Sequence, residues 1–161
     1  MRLNAKTQVS APIERVWQIV VDPTRALSYM SGVTRWEVAA DPPTGLGARY
    51  RMLLRVGSAE IGGLIEVVEW AKPYEFAWTS ITGIDQRGRF RLREAPGGRT
   101  SVELRLAYGV AGSGFSGWLA EHVAAPAVRG HLRRSLQQLK RLVEYEQLRE
   151  AAAARRAAAA G

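Results

Sequence analysis

The order in which hydrophobic periodicities follow one another along the chain constrains its fold more than any single motif does. Leu3, Ala5, Thr7 and Val9 alternate with Arg2, Asn4, Lys6 and Gln8, the period of a strand. Ile13, Val16, Trp17 and Val20 then recur at helical spacing. Asp22-Pro23 stops that helix and opens a second short one holding Leu27, Tyr29 and Met30. Between Val33 and Tyr108 nearly everything reads as strand and turn, and from Phe115 to Arg149 nearly everything reads as helix. A single sheet must bury its apolar face against something, and only the last helix is long enough to cover it. The expected class is therefore α+β. A curved sheet closed over one helix leaves an internal cavity, and such cavities take apolar ligands.

The strand region divides at its turn residues into 33–40, 48–56, 59–70, 75–82, 86–94 and 100–108. Tyr50, Met52, Leu54 and Val56 share one face of their strand, and Val102, Leu104, Leu106 and Tyr108 share one face of theirs. Gly62-Gly63 inside a strand predicts a bulge or a sharp bend. Ser10 is the expected N-cap of the first helix, with Pro12 in its first turn. In the last helix Val128, Leu132, Leu136, Leu139 and Val143 form one stripe. Pro126 is expected to kink or restart that helix. Residues 1–150 are read as one domain, and 151–161 as a low-complexity Ala/Arg tail that either extends the helix or is disordered.

Composition excludes several chemistries. The chain has no cysteine, hence no disulfide, thiolate metal site or cysteine nucleophile. Its two histidines, His122 and His131, stand nine residues apart with no third ligand nearby, so no metal and no cofactor is expected. No apolar run is long enough to span a bilayer and the N-terminus lacks a signal-peptide stretch, so a cytoplasmic location is expected. The net charge of +8 comes almost wholly from arginine and is read as compositional, so nucleic acid is not an expected partner. Peripheral membrane contact through the basic C-terminal region is kept as an expectation. Arg87, Arg89, Arg91 and Arg93 line one face of a strand without interleaved aromatics, as a solvated sheet face would. Glu66 and Glu69 are expected on opposite faces of their strand, one turned towards the cavity, with pairing to an arginine as the ordinary outcome.

Three strings resemble the START-like helix-grip superfamily (SRPBCC), and within it the bacterial polyketide cyclase/dehydrase and lipid-transport group. They are VSAPIERVWQIVVDP at 9–23, GLIEVVEWAKPYEFAWT at 63–79 and LRRSLQQLKRLVE at 132–144. The resemblance implies a helix-grip fold: a seven-stranded curved antiparallel sheet around a long C-terminal helix, with two short helices after the first strand. It further implies a deep cavity between sheet and helix, with the glycine-rich loop 109–117 at its entrance. The expected function is binding of a hydrophobic small molecule (lipid, quinone or polyketide-like) as carrier or sensor. The alternative is a polyketide cyclase/aromatase or dehydrase using the same cavity. No catalytic string of that group transfers onto this sequence position by position. The expected cavity lining is Trp17, Tyr29, Tyr50, Trp78, Phe90, Tyr108, Trp118, His122, Leu132 and Leu136. Aromatic rings give large, shaped contact area to an apolar ligand, and tyrosine and tryptophan bring a polar tip.

Overall fold

A computed structural model describes residues 1–109 and 115–161, with side chains described except at 115–123. The elements run β1 (Arg2–Val9), α1 (Ile13–Val20), α2 (Ala26–Tyr29), β2 (Val33–Ala40), β3 (Arg49–Val56), β4 (Ala59–Ala71), β5 (Glu75–Ser80), β6 (Asp85–Ala95), β7 (Arg99–Gly109) and α3 (Phe115–Ala159). The strands make one seven-stranded antiparallel sheet in the order β1-β7-β6-β5-β4-β3-β2. The helix-grip arrangement is the observed fold. β1 returns beside the last strand, so α1 and α2 lie between the two edges of the sheet in sequence and α3 packs chiefly along β1.

Alternation fixes which face is inside. On β6, Gly88, Phe90 and Leu92 are buried, and Phe90 meets Phe76 of β5 in a stacked pair at 6.1 Å. The α3 stripe Val128, Leu132, Leu136, Leu139 and Val143 is buried against this inner face. Burying side chains of this size stabilises by about 1.5–3 kcal/mol each. α1 contributes Ile13, Val16, Trp17 and Val20, with Trp17 edge-on to Trp70 of β4 at 5.1 Å.

Gly62 and Gly63 mark a bend rather than a bulge, for β3 and β4 stay in register from Tyr50↔Ile65 through Val56↔Ala59. Both take φ near +155°, and a Cβ on either would stand 2.0 Å from the Met52 carbonyl oxygen or 2.2 Å from that of Thr82. Three backbones converge there, which only glycine permits.

Three local expectations change. α1 begins after Pro12, which precedes the helix without a side-chain cap; the Ser10 N–H instead donates to Glu144 of α3 at 2.9 Å. Pro126 does not restart the last helix, which is one element from Phe115 to Ala159. Pro126 lies on the exposed side, where water can take the carbonyl that its missing N–H leaves free. Residues 151–159 continue α3, as their alanine content favours.

The third concerns the outer face. A bulge between Val67 and Glu69 reverses the parity of β4, so Glu66 and Glu69 both point outwards. Glu66 pairs with Arg49, and Glu69 takes two hydrogen bonds from Arg89 at 3.1 and 2.6 Å. The arginine row of β6 is tied down by Glu75 of β5, which accepts from Arg89 at 2.7 Å, Arg91 at 2.8 Å and Arg93 at 2.6 Å. Partial burial alone would push the Glu75 carboxyl up. The hydrogen bond from Arg93 and the charges of Arg91 and Arg89 outweigh it and bring it down to about 2. A carboxylate so depressed stabilises the fold above its unfolded value of 4.5, and that contribution is lost as pH falls from there through about 2. Because the partner arginines are half-exposed and screened, Glu75→Gln is expected to cost about 1–2 kcal/mol at pH 7. Urea denaturation should show the difference from wild type shrinking steadily below pH 4.5. A gap that is constant with pH would mean the ion pairs contribute nothing.

Candidate ligand cavity

The core is self-filled at one end and hollow at the other. At the filled end Trp36 lies 5.4 Å from Tyr50 and edge-on to Trp78 at 5.7 Å, while Phe76 lies 5.2 Å from Trp78. Trp78 rests on Gly88, directly across the β5–β6 pair. Tyr29 donates its hydroxyl to the Val20 carbonyl at 2.9 Å, and Tyr50 donates to that of Pro43 at 2.8 Å. Burial, reinforced by the Asp22 charge, pushes both phenols up, Tyr50 to about 12. Both are neutral hydrogen-bond donors already committed to backbone.

At the other end a cavity of about 480 Å³ separates the sheet from α3. Leu54 and Val56 of β3, Ile61 of β4 and Leu106 and Tyr108 of β7 form its sheet side, together with Ile84 just before β6. Ala124, Ala127 and Val128 form its helix side. The two alanines help make the space: their short side chains on α3 share the cavity with Gly62, which has no side chain, on the sheet. Gln86 of β6 is the one amide in the wall among the described residues. It is buried, and its Nε2 reaches only the Met52 sulfur, at 3.4 Å. Sulfur is a weak acceptor, so the amide keeps hydrogen-bonding capacity for a ligand oxygen.

A void of about 20 Å³ lies deeper and shares Leu54, Leu106 and Val128 with the cavity. Trp78 and Leu132 border it, as do Ser31, His131 and Ser135. The Trp78 indole Nε1 is buried and has no hydrogen-bond partner among the described residues. His131 is fully engaged: Nδ1 lies 3.2 Å from Ser31 Oγ and 3.1 Å from Arg134 Nη2, and Nε2 lies 3.1 Å from the Arg55 carbonyl. That pattern puts the proton on Nε2. Burial and the Arg134 charge hold the imidazole below its ordinary value against the opposing Arg55 carbonyl. The Ser31 N–H donates to Ser135 Oγ at 2.8 Å, which completes a polar lock between the α2–β2 turn and α3.

Of the expected lining residues, Tyr108 borders the cavity, and Trp78 and Leu132 border the deeper void. Trp17, Tyr29, Tyr50, Phe90 and Leu136 are packed in the core and border neither. The side chains of Trp118 and His122, and loop residues 110–114, lie outside the described residues. The sequence reading passed over Gln86, although it shares the inward parity of Gly88 and Phe90. It also left out Leu54 and Val56, although it placed both on the Tyr50 face. A larger depression of about 680 Å³ lies on the opposite, arginine-rich face, and its charged lining sets it apart from this cavity.

Residues 1–144 match the family described as polyketide cyclase / dehydrase and lipid transport. The chain belongs to this family. No curated protein is matched by sequence. Among solved structures, a Thermus thermophilus protein superposes with a TM-score of 0.76 at 24% identity, over 89% of this chain and 97% of its own. The Zhui aromatase/cyclase of a Streptomyces species gives 0.75 at 16% identity, over 89% and 93%. A START superfamily protein from Mycobacterium smegmatis gives 0.65 at 16%, over 91% and 98%. At these identities the polyketide cyclase/dehydrase family member described here shares their fold, which suits hydrophobic ligand binding and cyclase-type chemistry alike. No described helix is long and apolar enough to cross a membrane.

Proposed function

We propose that this protein binds a hydrophobic small molecule, of lipid, quinone or polyketide-like character, between the sheet and α3, as a carrier or sensor in the cytoplasm. The observation that carries the reading is an apolar cavity of about 480 Å³ in a domain whose other half packs its aromatic residues tightly. Cavities of this size suit ligands of drug-like dimensions. Gln86 in the wall supplies a polar contact for an oxygen-bearing end group.

Binding is favoured over catalysis because Tyr108 is the only titratable side chain in the wall among the described residues. Cyclisation or dehydration needs an acid and a base within reach of the reacting atoms. Native mass spectrometry of protein purified from its own host, followed by organic extraction, tests the proposal. A co-purifying apolar compound at a stoichiometry near one is expected. Protein that emerges empty, and that also fails to take up added fatty acids, quinones or aromatic polyketides, would overturn it.

A further inference from the structure

The outer face of the sheet carries a depression of about 680 Å³ whose construction the interior cavity does not explain. Ala107 of β7 lies in its floor. In register, Ala107 pairs with Arg2 of β1 on one side and Arg87 of β6 on the other, so two long cationic side chains flank one methyl group. In the next row Arg105 stands between Asn4 and Arg89. Thr79 and Ala77 of β5 continue the two rows with small side chains. An adjoining hollow of about 270 Å³ is also bordered by Arg2, Arg87 and Ala107, and by the carboxylate of Asp85, which forms no ion pair with either arginine among the described residues. The two arginines thus stand over both hollows.

Charge is uneven there. Arg89 is committed to Glu69 and Glu75, and Arg105 to Glu103 at 2.9 Å. Arg2 and Arg87 have no carboxylate within ion-pair distance among the described residues. Arg89 and Arg105 are also directly opposed across β6 and β7, an arrangement of like charges that destabilises a sheet. The fold thus concentrates positive charge around a concave floor of small side chains and leaves two guanidinium groups uncommitted.

We propose that this depression is an anion site in which Arg2 and Arg87 hold a phosphate monoester. A guanidinium fork matches phosphate oxygens in pairs, and two free forks match the nearly double negative charge of a monoester at pH 7. A carboxylate would leave one arginine unpaired. Val68, which faces outwards at the β4 bulge and is half-exposed, and Ala77 give the organic remainder an apolar wall. Among the described residues the one aromatic residue lining the depression is Trp78, whose ring is buried in the core and offers no face on which a base would stack, which favours a small ester over a nucleic-acid strand. This site is on the face opposite the interior cavity and does not depend on what that cavity binds.

The source of the phosphate is either a soluble ester or a lipid headgroup, and two arms separate them. In the first, glycerol 3-phosphate is titrated by calorimetry at constant ionic strength. In the second, sedimentation is measured with vesicles of phosphatidylcholine carrying phosphatidic acid, or phosphatidylserine at matched charge. Arg87→Gln and Arg2→Gln remove exposed side chains that make no ion pair, so both variants should melt as wild type does. Arg133→Gln, on the exposed side of α3, is the control. Saturable binding of glycerol 3-phosphate, at least tenfold weaker in Arg87→Gln and unchanged in Arg133→Gln, supports the site with a soluble ligand. Binding confined to phosphatidic acid vesicles, with the same dependence on Arg87, supports it with a lipid ligand. No binding in either arm, or equal weakening by Arg87→Gln and Arg133→Gln, overturns it.

Discussion

Replacing Ala127 with tryptophan is expected to abolish ligand uptake while leaving the domain folded. Ala127 lies on the helix wall of the cavity, half-buried, and its methyl group faces space rather than packed side chains. An indole there enters the volume that the bound molecule needs. A ligand forced to give up contact equal to one buried leucine loses about 2–3 kcal/mol, which is on the order of a hundredfold in affinity. The fold meets the substitution differently. Tryptophan is only modestly worse than alanine in a helix, and filling an apolar void returns dispersion contacts that the empty wall lacks. The melting temperature should therefore stay within a few degrees of wild type or rise. The measurement is the mass of the native protein from its host together with a titration of a fluorescent fatty acid. Full occupancy in Ala127→Trp would show that the ligand sits elsewhere. A companion variant, Gln86→Leu, keeps the cavity apolar but removes its amide. Affinity for a ligand bearing a carbonyl or hydroxyl should fall several-fold, while a plain hydrocarbon chain should bind as before.

Much of this architecture is legible in the sequence because periodicity reports burial directly. The alternation of β6 and β7 and the five-residue stripe of α3 each specify one face, and the structure buries those faces. The charge partners are less legible. Nothing in EVVEW shows that Val68 is the residue that bulges, yet that one extra residue turns Glu69 outwards to Arg89. The cavity is less legible still. Inward parity is common to Tyr50, Met52, Leu54 and Val56, but only the last two reach the hollow end. The position of a void along a strand depends on what the facing strands and the helix together leave unfilled, a property of several elements at once. Aromatic residues drew the expectation towards themselves, whereas Trp17, Tyr29, Tyr50 and Phe90 fill space; the hollow is left beside Ala124 and Ala127, whose side chains are too small to close it.

The largest loss of stability is expected at Gly88, where no special backbone angle is required. A Cβ there would stand 1.9 Å from Cζ2 and 2.1 Å from Cε2 of Trp78. The indole has little room to withdraw, for Trp78 is 2% exposed and wedged among Trp36, Phe76 and Phe90, and the void it borders is only about 20 Å³. Moving it means moving three other rings, or parting β5 from β6 at a directly opposed pair. Overpacking of this kind costs about 1–3 kcal/mol in ordinary cores, and a rigid aromatic cluster puts Gly88→Ala at or above the upper end. For a chain of this length about 3 kcal/mol corresponds to a fall of roughly 10 °C in melting temperature. A double-mutant cycle identifies the cause. Trp78→Leu alone should destabilise by opening a cavity, but in that background the added methyl group of Gly88→Ala has somewhere to go. The two substitutions together should then cost less than their sum by at least about 1 kcal/mol. Strict additivity would place the strain in the strand backbone instead, and a Gly88→Ala variant that melts with wild type would show that the indole does not rest on this glycine.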